Sequence, residues 1–197
     1  MQAYAFQLDK RFIMSEFIDI VDKNGFPTGE IVEREYAHRN GIWHRTAHLW
    51  LLRQKDGRVQ ILLQKRSKNK DSHPGCYDIS SAGHIPAGVE YEASAIRELQ
   101  EELGVDATES DLIFCGDRII VWDDVFHGKP FSDRQHSRVF ILWLDVPEDH
   151  FCVDTNEVES VCWVDFEQCC HNVENNSFPH CIAMEELQML KKAFNHQ

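Results

Sequence analysis

GHIPAGVEYEASAIRELQEELGV, residues Gly83–Val105, decides how the rest of the chain is read. Two glycines and a proline open it. Ala93, Ala95, Ile96, Leu99 and Leu103 then recur on a helical rhythm. Gly104 follows at the place where a glycine commonly ends a helix. On a helical wheel Ile96, Leu99 and Leu103 share one side. Glu98, Glu101 and Glu102, at i, i+3 and i+4, cluster on nearly the opposite side. Like charges at that spacing repel, so an isolated helix gains nothing from them. A hard divalent cation with a preference for oxygen is the natural neutraliser.

The stretch resembles the Nudix box, G-x5-E-x7-R-E-U-x-E-E-x-G-U, with U a bulky aliphatic residue. Gly83 matches the first glycine, and Arg97, Glu98, Leu99, Glu101, Glu102, Gly104 and Val105 match the second half without a gap. Val89 stands where the family usually has Glu, with Glu90 beside it. The resemblance implies a Nudix α/β/α sandwich with a central mixed sheet, an α/β fold. It implies Mg²⁺ or Mn²⁺ held by Glu98, Glu101 and Glu102, with the Gly83 carbonyl a further possible ligand. Arg97 would position a box carboxylate. The general base stays open between a box glutamate and a residue elsewhere. With Val89 in the box, Glu90, Glu157 or His84 is expected to compensate. The start of the box is expected to face the site, so a glutamate at 89 should be tolerated.

Composition narrows the partners. The 197 residues carry 33 acidic and 20 basic side chains, a net charge of −13, which suits no nucleic-acid polymer. A small diphosphate substrate delivered with a metal remains compatible. The seven cysteines form no C-x-x-C pair and read as reduced thiols of a cytoplasmic protein. Cys169-Cys170-His171 with His180-Cys181 fits no common zinc spacing. No membrane span is legible. A homodimer is compatible with this reading.

Along the chain, residues 1–13 read as an extension before Met14, and 14–197 as a single Nudix domain. Phe17–Asp22 and Gly29–Arg34 read as a hairpin around the Asn24-Gly25 turn. Thr46–Arg53 and Val59–Gln64 are strands joined at Asp56-Gly57. Lys65, Arg66, Lys68 and Lys70 follow, a basic cluster in an acidic chain. Lys65 or Arg66 is expected to reach substrate phosphates. Asp111–Gly116 and Arg118–Val121 read as strand segments, and Trp122–His136 as a long loop able to act as a lid or specificity loop. Ser137–Leu144 and Glu157–Val164 are strands, with Glu157 favoured over Glu159 as a further metal ligand. Ile182–Phe194 has the stripe of a packed helix.

QKRS, SHPGCYDISS and SAGHIPAG look like the Nudix branch that resembles type-I isopentenyl diphosphate isomerases. The isomerase has a catalytic cysteine before its Gly-His pair; here that residue is Ala82, before Gly83-His84. His44, His48 and His84 fall near places where the isomerase has metal-binding histidines. Three functions compete: a pyrophosphohydrolase of a nucleotide or other diphosphate, an isomerase, and a non-catalytic ligand sensor. Ala82 argues against the second and the intact RELQEEL against the third. His84 is also carried as a substrate-binding candidate.

Overall fold

The computed structural model describes residues 16–70, 72–126 and 128–195. The extension expected at 1–13 lies outside them. The chain opens on a hairpin, β1 (Phe17–Val21) and β2 (Pro27–Glu33), antiparallel in a two-stranded sheet of its own. Asp22 makes the turn by accepting the N–H groups of Asn24 and Phe26. Helix α1 (Arg34–Asn40) follows, ending at Gly41 in the left-handed region.

Strand β3 (His44–Lys55) turns back into β4 (Arg58–Arg66) through Asp56 and Gly57, both at positive φ, as a two-residue hairpin loop requires. Short strands β5 (Tyr77–Asp78) and β6 (Ser81–His84) lead to α2 (Tyr91–Leu103). Then come β7 (Ile113–Phe126), β8 (Lys129–Trp143), β9 (Val158–Asp165), α3 (Phe166–Glu174) and α4 (Met184–Asn195). The main sheet runs β5-β4-β3-β8-β7, with β6 beside β3 and β9 beside β4. β3 and β8 are parallel and the other pairings antiparallel, so the sheet is mixed.

Alternation along β3 fills both faces of this sheet. Ala47, Leu49 and Leu51 pack with Ala95, Leu99 and Leu103 of α2. Trp50 and Leu52 pack on the other face with Phe166 of α3 and Leu187 and Leu190 of α4. The result is the expected α/β/α sandwich.

Four local readings are corrected. Trp122–His136 is no loop: it forms the far ends of β7 and β8, paired from Val121↔Arg134 to Phe126↔Lys129. Its polar residues belong to strands that project past the sheet, where a ladder between two strands satisfies the backbone and solvated side chains cover it. Arg134 Nη2, for instance, donates to both carboxylate oxygens of Asp123, at 2.8 and 2.9 Å. The two segments at 111–121 are one strand with an irregular register between Phe114 and Gly116. Helices α1 and α3 had no expected counterpart. The Cys169-Cys170-His171 run lies on α3 with Cys169 in the core, and all seven cysteines are free thiols.

Val89 is the fourth. Its side chain packs against the α2-side core, and its carbonyl accepts Arg45 Nη2 at 2.8 Å. It is partly buried against that core and is not among the cleft-lining residues. Val89→Glu is therefore expected to destabilise the fold by about 1–3 kcal/mol, the cost of a poorly paired polar group in apolar surroundings. Urea denaturation measures this; a midpoint equal to wild type would show that residue 89 can turn outward.

Candidate active site

Helix α2 forms where the sequence places it. Gly104, at φ +67°, ends it by donating to Gln100 O at 3.0 Å. With Leu99 and Leu103 fixed in the core, the opposite residues border a cleft of about 1510 Å³. Gly83, Arg97, Glu98, Glu101 and Glu102 all line it. Arg97 holds two of the carboxylates, Glu98 Oε1 at 2.5 Å and Glu101 Oε2 at 2.6 Å. Glu101 is exposed, whereas Glu102 is only 7% exposed. Burial pushes Glu98 up to about 7 against the pull of Arg97, and pushes Glu102 up to about 8. Ser81 Oγ and Glu102 Oε2 are both buried, the hydroxyl beside the carboxylate drawing its pKa down against the burial, and a single hydroxyl leaves the carboxylate room for a cation. Gly83 fits closely against this group: a Cβ there would stand 2.2 Å from Cδ of Glu98.

Glu157 also lines the cleft, just before β9, ion-paired with Lys70. Asp154 N–H donates to Glu102 O at 3.0 Å, which ties this segment to the end of α2. Lys65 and Arg66 point differently, as neighbours on a strand must. Lys65 pairs with Glu159 at 2.8 Å and is not among the cleft-lining residues. Arg66 lines the cleft, but its guanidinium is engaged by Asp78 at 2.9 Å and by Ser72 O. Opposite, Trp122, Phe126 and Phe131 of the β7–β8 hairpin pack edge to face or tilted at 5.0–5.6 Å and give the cleft an aromatic wall.

A second cluster of ligand-type groups borders the same cleft. His38 of α1 and His84 of β6 line the cleft with the fully buried His44 of β3 behind them, and each brings one ligand atom within 4.8 Å of the others. His38 Nε2 and His84 Nε2 are 3.0 Å apart. Asp133 Oδ1 lies 3.7 Å from His38 Nδ1 and 3.5 Å from His44 Nε2, and these three atoms are buried without hydrogen-bond partners. Burial drives His38 down to about 3, His44 below its ordinary value and His84 well below it, so all three rings are neutral near pH 7. Burial raises Asp133 to about 6. His44 Nδ1 lies 2.8 Å from Ile42 O, which fixes the proton there and leaves Nε2 its lone pair. Neutral imidazoles beside a carboxylate suit a nitrogen-accepting divalent metal better than Mg²⁺. The sequence reading grouped His48 with His44 and His84; the structure puts His38 in that group and turns His48 toward α4. His38 was visible in the sequence, but without α1 nothing folded it back onto His84.

A carboxylate-bearing α2, entered through Gly83 on an α/β/α sandwich, defines the class of a Nudix-type hydrolase. The NUDIX domain family matches residues 43–181, and the chain belongs to the Nudix hydrolase family. It is 38% identical over 159 residues to Nudix hydrolase 3 of Arabidopsis thaliana, covering 78% of this chain but only 20% of that protein. It is 31% identical over 160 residues to an uncharacterized Nudix hydrolase of Clostridium acetobutylicum, covering 81% of this chain and 75% of the relative. A crystal structure from Deinococcus radiodurans superposes with a TM-score of 0.63 at 20% identity, covering 89% of this chain and 98% of the other. Among the described residues, no helix is long and apolar enough to cross a membrane.

Proposed function

We propose that the chain is a Mg²⁺- or Mn²⁺-dependent pyrophosphohydrolase that cleaves a phosphoanhydride bond in a small organic diphosphate. The observation that carries this reading is Glu98, Glu101 and Glu102 gathered along one cleft wall, with Glu102 nearly buried beside Glu98. These three carboxylates, with Glu157, would hold the metal, and the Gly83 carbonyl is a further candidate ligand. Bound there, the metal would neutralise phosphoryl oxygens and lower the pKa of an attacking water.

The protein's own part is orientation. Arg97 keeps Glu98 and Glu101 from swinging apart. Lys70, paired with Glu157 at the rim, supplies cationic charge toward phosphate. The aromatic wall of Trp122, Phe126 and Phe131 suits an organic group beyond the diphosphate and keeps water from that side. The proton acceptor is a box glutamate or a carboxylate elsewhere on the cleft such as Glu157.

The second reading, an isomerase-like activity, is favoured by the His38–His44–His84 cluster. Ala82 opposes it, because no thiol stands beside Gly83 to move a proton at an allylic carbon.

One experiment tests both. Nucleoside di- and triphosphates, nucleotide sugars, dinucleotides, thiamine diphosphate and isoprenoid diphosphates are incubated in ¹⁸O water with Mg²⁺ or Mn²⁺, with and without chelator. Labelled phosphate or monophosphate, lost with chelator, is the expected outcome. Tight binding of one compound without any cleavage would favour a sensor. A parallel arm in heavy water with isopentenyl diphosphate is expected to show no deuterium incorporation.

A further inference from the structure

Two side chains from opposite sides of the cleft meet above it. In the main sheet β3 and β8 lie between β4 and β7, three strand spacings or about 14 Å. His73, in the segment between β4 and β5, and Trp122, on β7, nevertheless have ring centroids 5.4 Å apart, with the planes tilted by 32°. The contact therefore closes over the strands between them.

Strand alternation decides on which face this happens. The register of β7 with β8 is regular beyond Gly116. Trp122 is four residues from Arg118, which reaches Glu186 of α4 at 2.7 Å, so Trp122 stands on the α4 face. Thr46 and His48 share that face, in step with Trp50 of the core beneath α4, and line the floor of the cleft.

The two rings are held differently. Trp122 belongs to a fixed row: Phe126 and Phe131 lie at 5.6 Å, and Phe131 stacks on His38 of α1 at 4.4 Å. His73 is exposed, and among the described residues Trp122 is the one ring that touches it. The residue before it is pinned, because Arg66 Nη2 donates to Ser72 O and Ser72 Oγ, both at 2.9 Å. His73 takes a left-handed backbone, φ +48°, uncommon for a residue other than glycine. A pinned base and an exposed tip let the imidazole withdraw while its anchor stays. The same segment also reaches the box. Lys70 pairs with Glu157, and both act on the ionisation of Glu102. His73 follows three positions later, no more than about 11 Å of chain. The segment thus carries one side chain to the carboxylates and another to the aromatic wall.

We propose that His73 and Trp122 are a specificity-determining pair, which parts to admit a planar ring of the substrate and closes on its two faces. The pair rests on the diphosphate reading above and deepens it, because the ring is the organic group attached to the diphosphate. The substrate follows the segment between β4 and β5 from the carboxylates to Trp122, so it crosses no strand. A planar group between two rings needs about 7 Å, two contacts of about 3.5 Å each. Starting from 5.4 Å, His73 withdraws by roughly 2 Å while Trp122 stays in its row. A flexible hydrocarbon chain presents no flat face to either ring and is held less well.

Binding is measured by calorimetry on the full chain with Mg²⁺. The probes are α,β-methylene-ADP and α,β-methylene-UDP, which cannot be cleaved at the methylene bridge, with methylenediphosphonate as the ring-free comparison. At least one nucleotide should bind more tightly than methylenediphosphonate and change the fluorescence of Trp122, read as the difference between wild type and Trp122→Phe. His73→Ala and Trp122→Leu should each weaken that nucleotide about tenfold, the scale of one lost stacking contact, and leave methylenediphosphonate unchanged. Trp122→Phe keeps a flat ring and should keep most of the affinity. A role in folding alone would not separate the ring-bearing probe from the ring-free one. His73→Ala removes an exposed side chain, so it remains informative if Trp122→Leu folds poorly. The proposal is overturned if neither nucleotide binds more tightly than methylenediphosphonate, if the bound nucleotide leaves Trp122 unchanged, or if both variants bind it as wild type does. Ring-dependent binding that needs both residues, beside a wholly negative ¹⁸O panel, would keep the pair and remove the hydrolase reading alone.

Discussion

Glu102→Gln lowers turnover by about 10²–10³, the scale of losing one electrostatic stabiliser of developing charge, and at the same time raises the stability of the metal-free protein above neutral pH. The two effects share a cause. Glu102 is 7% exposed, and burial pushes its carboxyl up to about 8 from an ordinary value of 4.5. Between those values the folded protein keeps a proton that the unfolded chain releases, so stability falls as pH rises through that window. Glutamine does not ionise, and the variant escapes that fall. His38, His44 and His84 act in the opposite sense below about pH 6.5, because burial lowers them. His48 falls with pH like Glu102, but it is common to both proteins. The clean comparison is therefore the difference in melting temperature between wild type and variant from pH 6.5 to 8, with chelator present. Mg²⁺ or Mn²⁺ should close the gap by stabilising wild type more than the variant. Glu101→Gln separates the contributions: that carboxylate is exposed and bound to Arg97, so activity should drop without the gain in stability. Near-full turnover of Glu102→Gln at saturating metal, or parallel melting curves across the window, would remove Glu102 from the metal site.

How much of this could be read beforehand follows from the range of each signal. The box helix was legible because its information is local: Ile96, Leu99 and Leu103 on one side, Glu98, Glu101 and Glu102 on another, and Gly104 at the end. The β3–β4 hairpin was legible through Asp56-Gly57, whose positive φ values few other pairs supply. Helix α1 was not, because Arg34–Asn40 has seven residues and no side-chain cap. The β7–β8 extension was misread because strands that project past a sheet lose the apolar alternation a core imposes. Val89 was misplaced because helical periodicity says nothing about the turn before Tyr91. The site divides the same way. The spacing of the glutamates placed them in the sequence, whereas the meeting of His38, His44 and His84 with Asp133 needs four separate elements in register. His44 and Asp133 are 89 positions apart, and only the parallel pairing of β3 with β8 brings them together.

Gly83→Ala is the other large effect, and it discriminates between two reasons for a glycine at this position. A Cβ at 83 would meet Cδ of Glu98 at 2.2 Å and Cγ and Oε1 at 2.3 Å. Those atoms belong to a flexible side chain, so the backbone need not give way. Gly83 does not occupy the left-handed region, and its pairing with Ala47 survives in alanine. Glu98 must then swing out, leaving the 2.5 Å contact with Arg97 and its place beside Glu102. Displacing a catalytic group by about 1 Å costs on the order of 10² in rate, and this displacement is larger. Turnover should fall at least that far, and affinity for Mn²⁺ should weaken, while the metal-free melting temperature shifts by only a few degrees, about 1 kcal/mol. If the glycine matters only for its carbonyl, alanine supplies the same oxygen and activity survives. The double variant settles which reason holds. Once Glu98 has been displaced by the new methyl group, Glu98→Gln has little left to remove, so the two losses should combine far less than additively. Full additivity in kcat/KM would mean that Gly83 acts independently of Glu98, and that the close fit between them has no part in holding the metal.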